Sequence, residues 1–144
     1  MSSAGRAWID GAARGNPGEA GFGVILESND ERRELGGFLG RTTNNVAEYA
    51  ALVAALTLVG RLGLSRLEVF SDSELVARQM SGQYRVKAPH LVPTFLKILA
   101  LKRSLGSVVV QHVPREQNRD ADRLANRAID ERLPLPDWLE LEIR

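Results

Sequence analysis

No cysteine occurs among the 144 residues, which removes disulfide frameworks and thiolate metal sites together. Any bound metal must therefore be held by oxygen or imidazole. Nor is there a surplus of one charge: the formal net charge is +1 and the pI is near 8.2. That balance does not announce a polyanionic partner, and it leaves a local basic surface open. No apolar run is long enough to cross a bilayer, and the N-terminus MSSAGRAWIDG lacks the apolar core of a signal peptide. A cytoplasmic protein with no membrane partner is the expectation. No self-association surface is readable, so a monomer is expected. Repeats and low-complexity tracts are also missing, and 44% hydrophobic content suits one core. The expected organisation is a single domain over 1–133 and a C-terminal tail over 134–144, which Pro134 and Pro136 should keep extended and not helical.

The patterns that are present follow an informative order. RAWIDGA, GFGVILES and ERRELGGFLG read as three strands with short connections, the first two joined at Asn16-Pro17-Gly18, the third with a weak point at Gly36-Gly37. The period then changes. Val46, Ala50, Val53 and Ala54 recur at helical spacing behind a cap at Thr43 or Asn44. LSRLEVFSDS reads as a buried strand, SELVARQMSG as a short helix closed by Gly82, and the segment from Pro93 to Gly106 as a further helix. SVVVQHVP is a β-branched strand, and NRDADRLANRAIDERL a helix stopped by Pro134. The order β-β-β-α-β-α-α-β-α predicts an α/β fold: a five-stranded mixed sheet, three antiparallel strands then βαβαβ, flanked by helices.

Acidic residues stand at revealing places: Asp10 in the first strand, Glu48 in the first long helix, Asp72 at the end of the fourth strand, and Asp120 or Asp122 in the last helix. Each alone has a plain explanation, as a turn former, a helix-dipole partner, a cap or a solvated charge. Together they converge on one edge of such a sheet. Clustered carboxylates repel one another unless a cation joins them, and a divalent ion with oxygen preference is the natural partner. At about 100° per residue, Asp120 and Asp122 flank the Ala121, Leu124, Ala125, Ala128 stripe symmetrically, so helical geometry does not choose between them.

Four stretches, DGAARGNPG, TNNVAEYAAL, SDSELV and NRDADRLANRA, together resemble the type 1 ribonucleases H, in order and at compatible spacings from about Trp8 to Ala128. The resemblance implies a ribonuclease H-like fold without the family's basic protrusion. It implies an endonuclease that hydrolyses the RNA strand of RNA–DNA hybrids to 3′-hydroxyl and 5′-phosphate ends, independent of sequence. Asp10, Glu48 and Asp72 match the family's metal-binding, catalytic carboxylates, and its D-x-L-A spacing selects Asp122 as the fourth. Two Mg²⁺ ions would serve, with Mn²⁺ as substitute. Asn44 and Asn45 become minor-groove readers, Thr43 lies near a DNA phosphate, and Gly11, Ala12 and Asn16 touch ribose 2′-hydroxyls. Ser73 and Lys87 complete the substrate-binding set.

Some features depart from that pattern. The loop HVPREQN lacks the histidine several members carry there, leaving Arg115 or Glu116 as candidates for its place; His112 is expected to be packed at the edge of the core, and His90 to sit in a surface turn. The segment MSGQYRVKAPHL replaces the basic protrusion, and Ala88 stands where many members have asparagine. Competing readings are a non-catalytic module binding hybrid or double-stranded RNA, and an exonuclease or resolvase on the same fold. The exonucleases' paired acids are missing, since Gly11-Ala12 follow Asp10. RNA duplex as a further substrate stays open.

Overall fold

The computed structural model describes residues 4–83 and 85–143. Alternation of apolar and small residues draws β1 (Ala4–Gly15), β2 (Gly18–Ser28) and β3 (Glu31–Thr42) into an antiparallel meander. Helix α1 (Asn44–Arg61) then crosses to β4 (Arg66–Ser71), which lies parallel to β1. After α2 (Glu74–Met80) and α3 (Val92–Leu105), β5 (Ser107–His112) adds parallel to β4. The sheet order is β3-β2-β1-β4-β5. Helix α4 (Arg119–Asp130) follows, then α5 (Asp137–Ile143). Short 3-10 turns at Pro89–Leu91 and Arg115–Gln117 precede α3 and α4. The mixed topology is as the sequence predicts.

The period-2 pattern of β1 sorts the two faces. Ala7 and Ile9 join the main core with α1, whereas Trp8 turns to the other side and packs with Ile25, Ala121 and Leu124 beneath α4. Helix α1 is buried on more than the one side its spacing suggests: Ala47 through Leu56 are all covered. The reason is its central place, with the sheet on one flank and α3 and α5 on the other. Gly36-Gly37 is not a break. A Cβ on Gly37 would lie 2.4 Å from Leu135 Cδ2 and 2.7 Å from Phe22 Cε1, so the glycines let the C-terminal segment close over an unbroken strand.

Three expectations need correction. The last helix ends at Asp130, and Arg132 takes a φ of 48° as the chain turns so that the Leu133 carbonyl accepts the Phe38 N–H. The tail is not extended: after Pro136, whose carbonyl accepts the Leu139 N–H, residues Asp137–Ile143 form α5. Leu139 is 0% exposed in the main core, Arg61 lies over the Trp138 ring at 4.8 Å, and Lys97 meets Glu142 at 3.3 Å. Pro136 precedes the helix, where its missing N–H costs nothing. Leu139→Ala is expected to lower stability by about 2–5 kcal/mol, read as a lower urea midpoint; an unchanged midpoint would show that α5 does not contribute to the core. Finally, His112 is exposed, because β5 is a short edge strand and His112 its last residue. His90 is exposed in the turn after Pro89, as expected. Among the described residues, no helix is long and apolar enough to cross a membrane.

Candidate functional site

The parallel pairing of β1 with β4 runs to Ile9 opposite Ser71, which brings the next residues, Asp10 and Asp72, to the same end of the sheet. Ser71 accepts the Ser73 N–H at 3.0 Å, and Ser73 in turn caps α2 by accepting the Val76 N–H at 3.2 Å. The cap is thus supplied by Ser73, and the Asp72 carboxylate is left for the cleft.

Glu48 arrives from α1. Thr43 caps that helix by accepting the Val46 N–H at 3.2 Å, which turns Glu48 inward one turn later. Glu48 is 4% exposed and accepts the Gly11 N–H. Dipole complementation at a solvated helix end therefore does not account for it. Gly11 is what permits the approach, since a Cβ there would lie 2.3 Å from the Ala47 carbonyl carbon and from the Glu48 nitrogen. Gly11→Ala must push α1 off β1, at about 1–3 kcal/mol for overpacking, and carry Glu48 with it. A thermal melt should register that loss, and a wild-type melting temperature would show that the two elements give way freely.

Asp10, Glu48 and Asp72 each offer a carboxylate oxygen, and these oxygens lie within 4.8 Å of one another. Asp10 is 5% exposed. Burial first, then the negative charges of Glu48 and Asp72, push its pKa up to about 10. Burial also raises Glu48, to about 7, against the lowering effect of the Gly11 N–H. Such a cluster cannot ionise fully without a cation, and its donors, all carboxylate oxygens, suit a hard divalent ion.

Asp122, partly buried, lines the same cleft from α4. Asp120 faces away, held by Arg32 of β3 at 2.9 Å and by Arg123. The symmetry that sequence geometry leaves open is thus broken by the long-range pairing to Arg32. Arg115 also lines the carboxylate cleft, whereas Glu116 lines a separate cleft beside Trp8 and Arg32.

The two asparagines of TNN diverge. Asn44 lines the carboxylate cleft with Gly11, Ala12 and Ser73, while Asn45 lines a neighbouring groove with Gln79, Arg85, Lys87 and Ala88. Asn16, in the turn between β1 and β2, accepts the Asn44 N–H at 3.1 Å. Sequence reasoning missed two residues: Asn126, which lines the cleft and donates to the Asp122 carbonyl at 3.0 Å, and Asn118, buried behind it. The only signal for either was its place within NRDADRLANRA.

A mixed five-stranded sheet with carboxylates gathered where its parallel strands end defines an α/β protein with an acidic, hard-cation type of site. Residues 9–128 match the family described as reverse transcriptase-like. The bifunctional protein Rv2228c of Mycobacterium tuberculosis is 43% identical over 124 residues, covering 84% of this chain and 34% of that protein. Ribonuclease HI of Halobacterium salinarum is 41% identical over 127 residues, 87% of this chain and 64% of that one. The chain thus spans about a third of the mycobacterial relative and under two thirds of the halobacterial one. Among solved structures, LC11-RNase H1 in complex with an RNA/DNA hybrid superposes with a TM-score of 0.83 at 43% identity, covering 88% of this chain and 97% of that one. The chain belongs to the ribonuclease H family.

Proposed function

We propose that this protein is a divalent-metal-dependent endonuclease that hydrolyses the RNA strand of RNA–DNA hybrids without sequence preference, leaving 3′-hydroxyl and 5′-phosphate ends. The observation that carries this reading is the convergence of Asp10, Glu48 and Asp72 within 4.8 Å in a chain of this family. The donor set would hold Mg²⁺, with Mn²⁺ as substitute, and a pair of such ions would suit phosphodiester chemistry. When bound, the ions supply an activated water and stabilise the leaving oxygen.

The chain's own residues do the positioning. Glu48 is fixed by Gly11, and Asp122 closes the site from α4. Asn16 spends its carbonyl oxygen on the Asn44 N–H, which directs its amide donors toward a ribose 2′-hydroxyl together with the backbone of Gly11 and Ala12. Asn44 in the cleft and Asn45 in the groove offer amides to both strands of a hybrid. Lys87, in the groove with Asn45, and Thr43, at the cap of α1, would meet the DNA strand, and Arg115 brings positive charge to the rim of the cleft, where a phosphate would pass. Contacts of this kind address sugar and phosphate, so they carry no base information.

The test is a labelled RNA presented alone, in a hybrid and in an RNA duplex, beside a DNA duplex, in Mg²⁺. Internal cuts in the RNA of the hybrid, with 5′-phosphate ends, are expected. Stepwise loss from one end would make it an exonuclease, and tight hybrid binding without cutting would leave a binding module. Cleavage of the RNA duplex would extend the substrate class to double-stranded RNA.

A further inference from the structure

Asn118 opens the motif that supplies Asp122, yet its side chain does not line the carboxylate cleft. It is 1% exposed. Its Nδ2 donates to the carbonyl of Ile9 at 2.9 Å, one residue before Asp10, and its backbone carbonyl accepts the Asp122 N–H at 3.0 Å. A single residue thus grips the central strand beside the first carboxylate and carries the first turn of the helix bearing the fourth. No other described side chain hydrogen-bonds the Ile9 carbonyl.

Two plainer explanations fall short. Asn118 makes no side-chain capping bond to α4, so it is not there as a cap. Nor is it there to fill space, because its Oδ1 is buried without a protein partner, a costly unmet acceptor that an apolar side chain would not carry. What the amide alone provides is a fixed register between β1 and α4. Asp122 has little else to hold it: it is partly buried, and Asn126 approaches its Oδ1 only at 3.5 Å.

We infer that Asn118 is a positioning residue, a clamp between β1 and α4 that sets the place of Asp122 relative to Asp10 and so the affinity of the site for a divalent cation. This rests on the metal-dependent reading of the cleft. Groups that orient the ligands of a metal site typically change its metal affinity about 10–100-fold when removed.

The experiment compares Asn118→Leu, which keeps the branched shape and heavy-atom count and deletes the bond, and Asn118→Ala with Leu124→Ala, which loosens α4 through its buried apolar face instead. For each, the melting temperature is measured without metal and during a Mn²⁺ and a Mg²⁺ titration, beside the Mg²⁺ dependence of hybrid cleavage and the KM for hybrid. Both Asn118 variants should need about tenfold or more additional cation for the same rise in melting temperature and for half-maximal cleavage, with KM for hybrid unchanged. Leu124→Ala should melt lower without metal but keep the wild-type cation midpoint. Wild-type midpoints in the Asn118 variants, or an equal shift in Leu124→Ala, would overturn the clamp alone. A wild-type protein with neither a cation-induced rise nor cleavage would overturn the metal reading as well.

Discussion

Asp10→Asn should abolish hybrid cleavage, by at least about a thousandfold in kcat, while raising the melting temperature of the metal-free protein. The first half follows because Asp10 sits at the centre of the acidic cluster, and loss of one preorganised electrostatic contact at a reacting phosphate or carbonyl already costs about 10²–10³. The second follows from the same geometry. Asp10 is buried beside Glu48 and faces Asp72, so a neutral side chain of equal size removes repulsion and desolvation while keeping hydrogen-bonding capacity. Glu48→Gln and Asp72→Asn should behave alike in cleavage, and Asp122→Asn less severely, since Asp122 stands outside the triad. Single-turnover cleavage and melts in chelator measure both effects. Activity within tenfold of wild type, or a lower melting temperature for Asp10→Asn, would contradict the account.

Without divalent metal, stability should fall as pH rises, and with it that fall should be largely erased. Burial, ahead of the charges of Glu48 and Asp72, lifts Asp10 from 3.8 to about 10, and burial lifts Glu48 from 4.5 to about 7. Both folded values lie above the unfolded ones, so the folded state holds the extra protons. The associated stability is whole below about pH 4 and is lost as pH climbs through the folded values. The two carboxyls titrate as a pair, and both are held above their unfolded values, so the loss should be several degrees in melting temperature. A cation takes the place of the departing protons, so its affinity rises over the same window. Melts from pH 5 to 9, in chelator and in Mg²⁺, should diverge upward in pH, and Asp10→Asn should flatten the chelator curve. Parallel curves would contradict the coupling.

Much of the architecture was legible because local pattern and global fold agree: the switch from period 2 to helical spacing at Thr43, and the glycines closing α2 and α3, fall where the elements change. What escaped was long-range. Helix α5 is held by burial of Leu139 and by Arg61 over Trp138, partners far off in sequence, whereas the prolines beside it speak locally for extended chain. Helical spacing alone leaves Asp120 and Asp122 equal; the family resemblance selects Asp122, and the pairing that turns Asp120 away is to Arg32, 88 residues distant. Asn118 looks from sequence like an ordinary helix-start asparagine, and only the bond to Ile9, 109 residues away, sets it apart. The pair Asn44-Asn45, two amides at the start of a helix that Thr43 already caps, is explained by the divergence of the two side chains into cleft and groove.

The most direct measurement is cleavage of an RNA–DNA hybrid, labelled within the RNA strand, by protein stripped of metal and then given Mg²⁺. An intact hybrid in chelator and internal RNA cuts on Mg²⁺ addition are expected, with the DNA strand whole and Asp10→Asn inert in both. Cutting that persists in chelator, or RNA that stays intact in both Mg²⁺ and Mn²⁺, would contradict it.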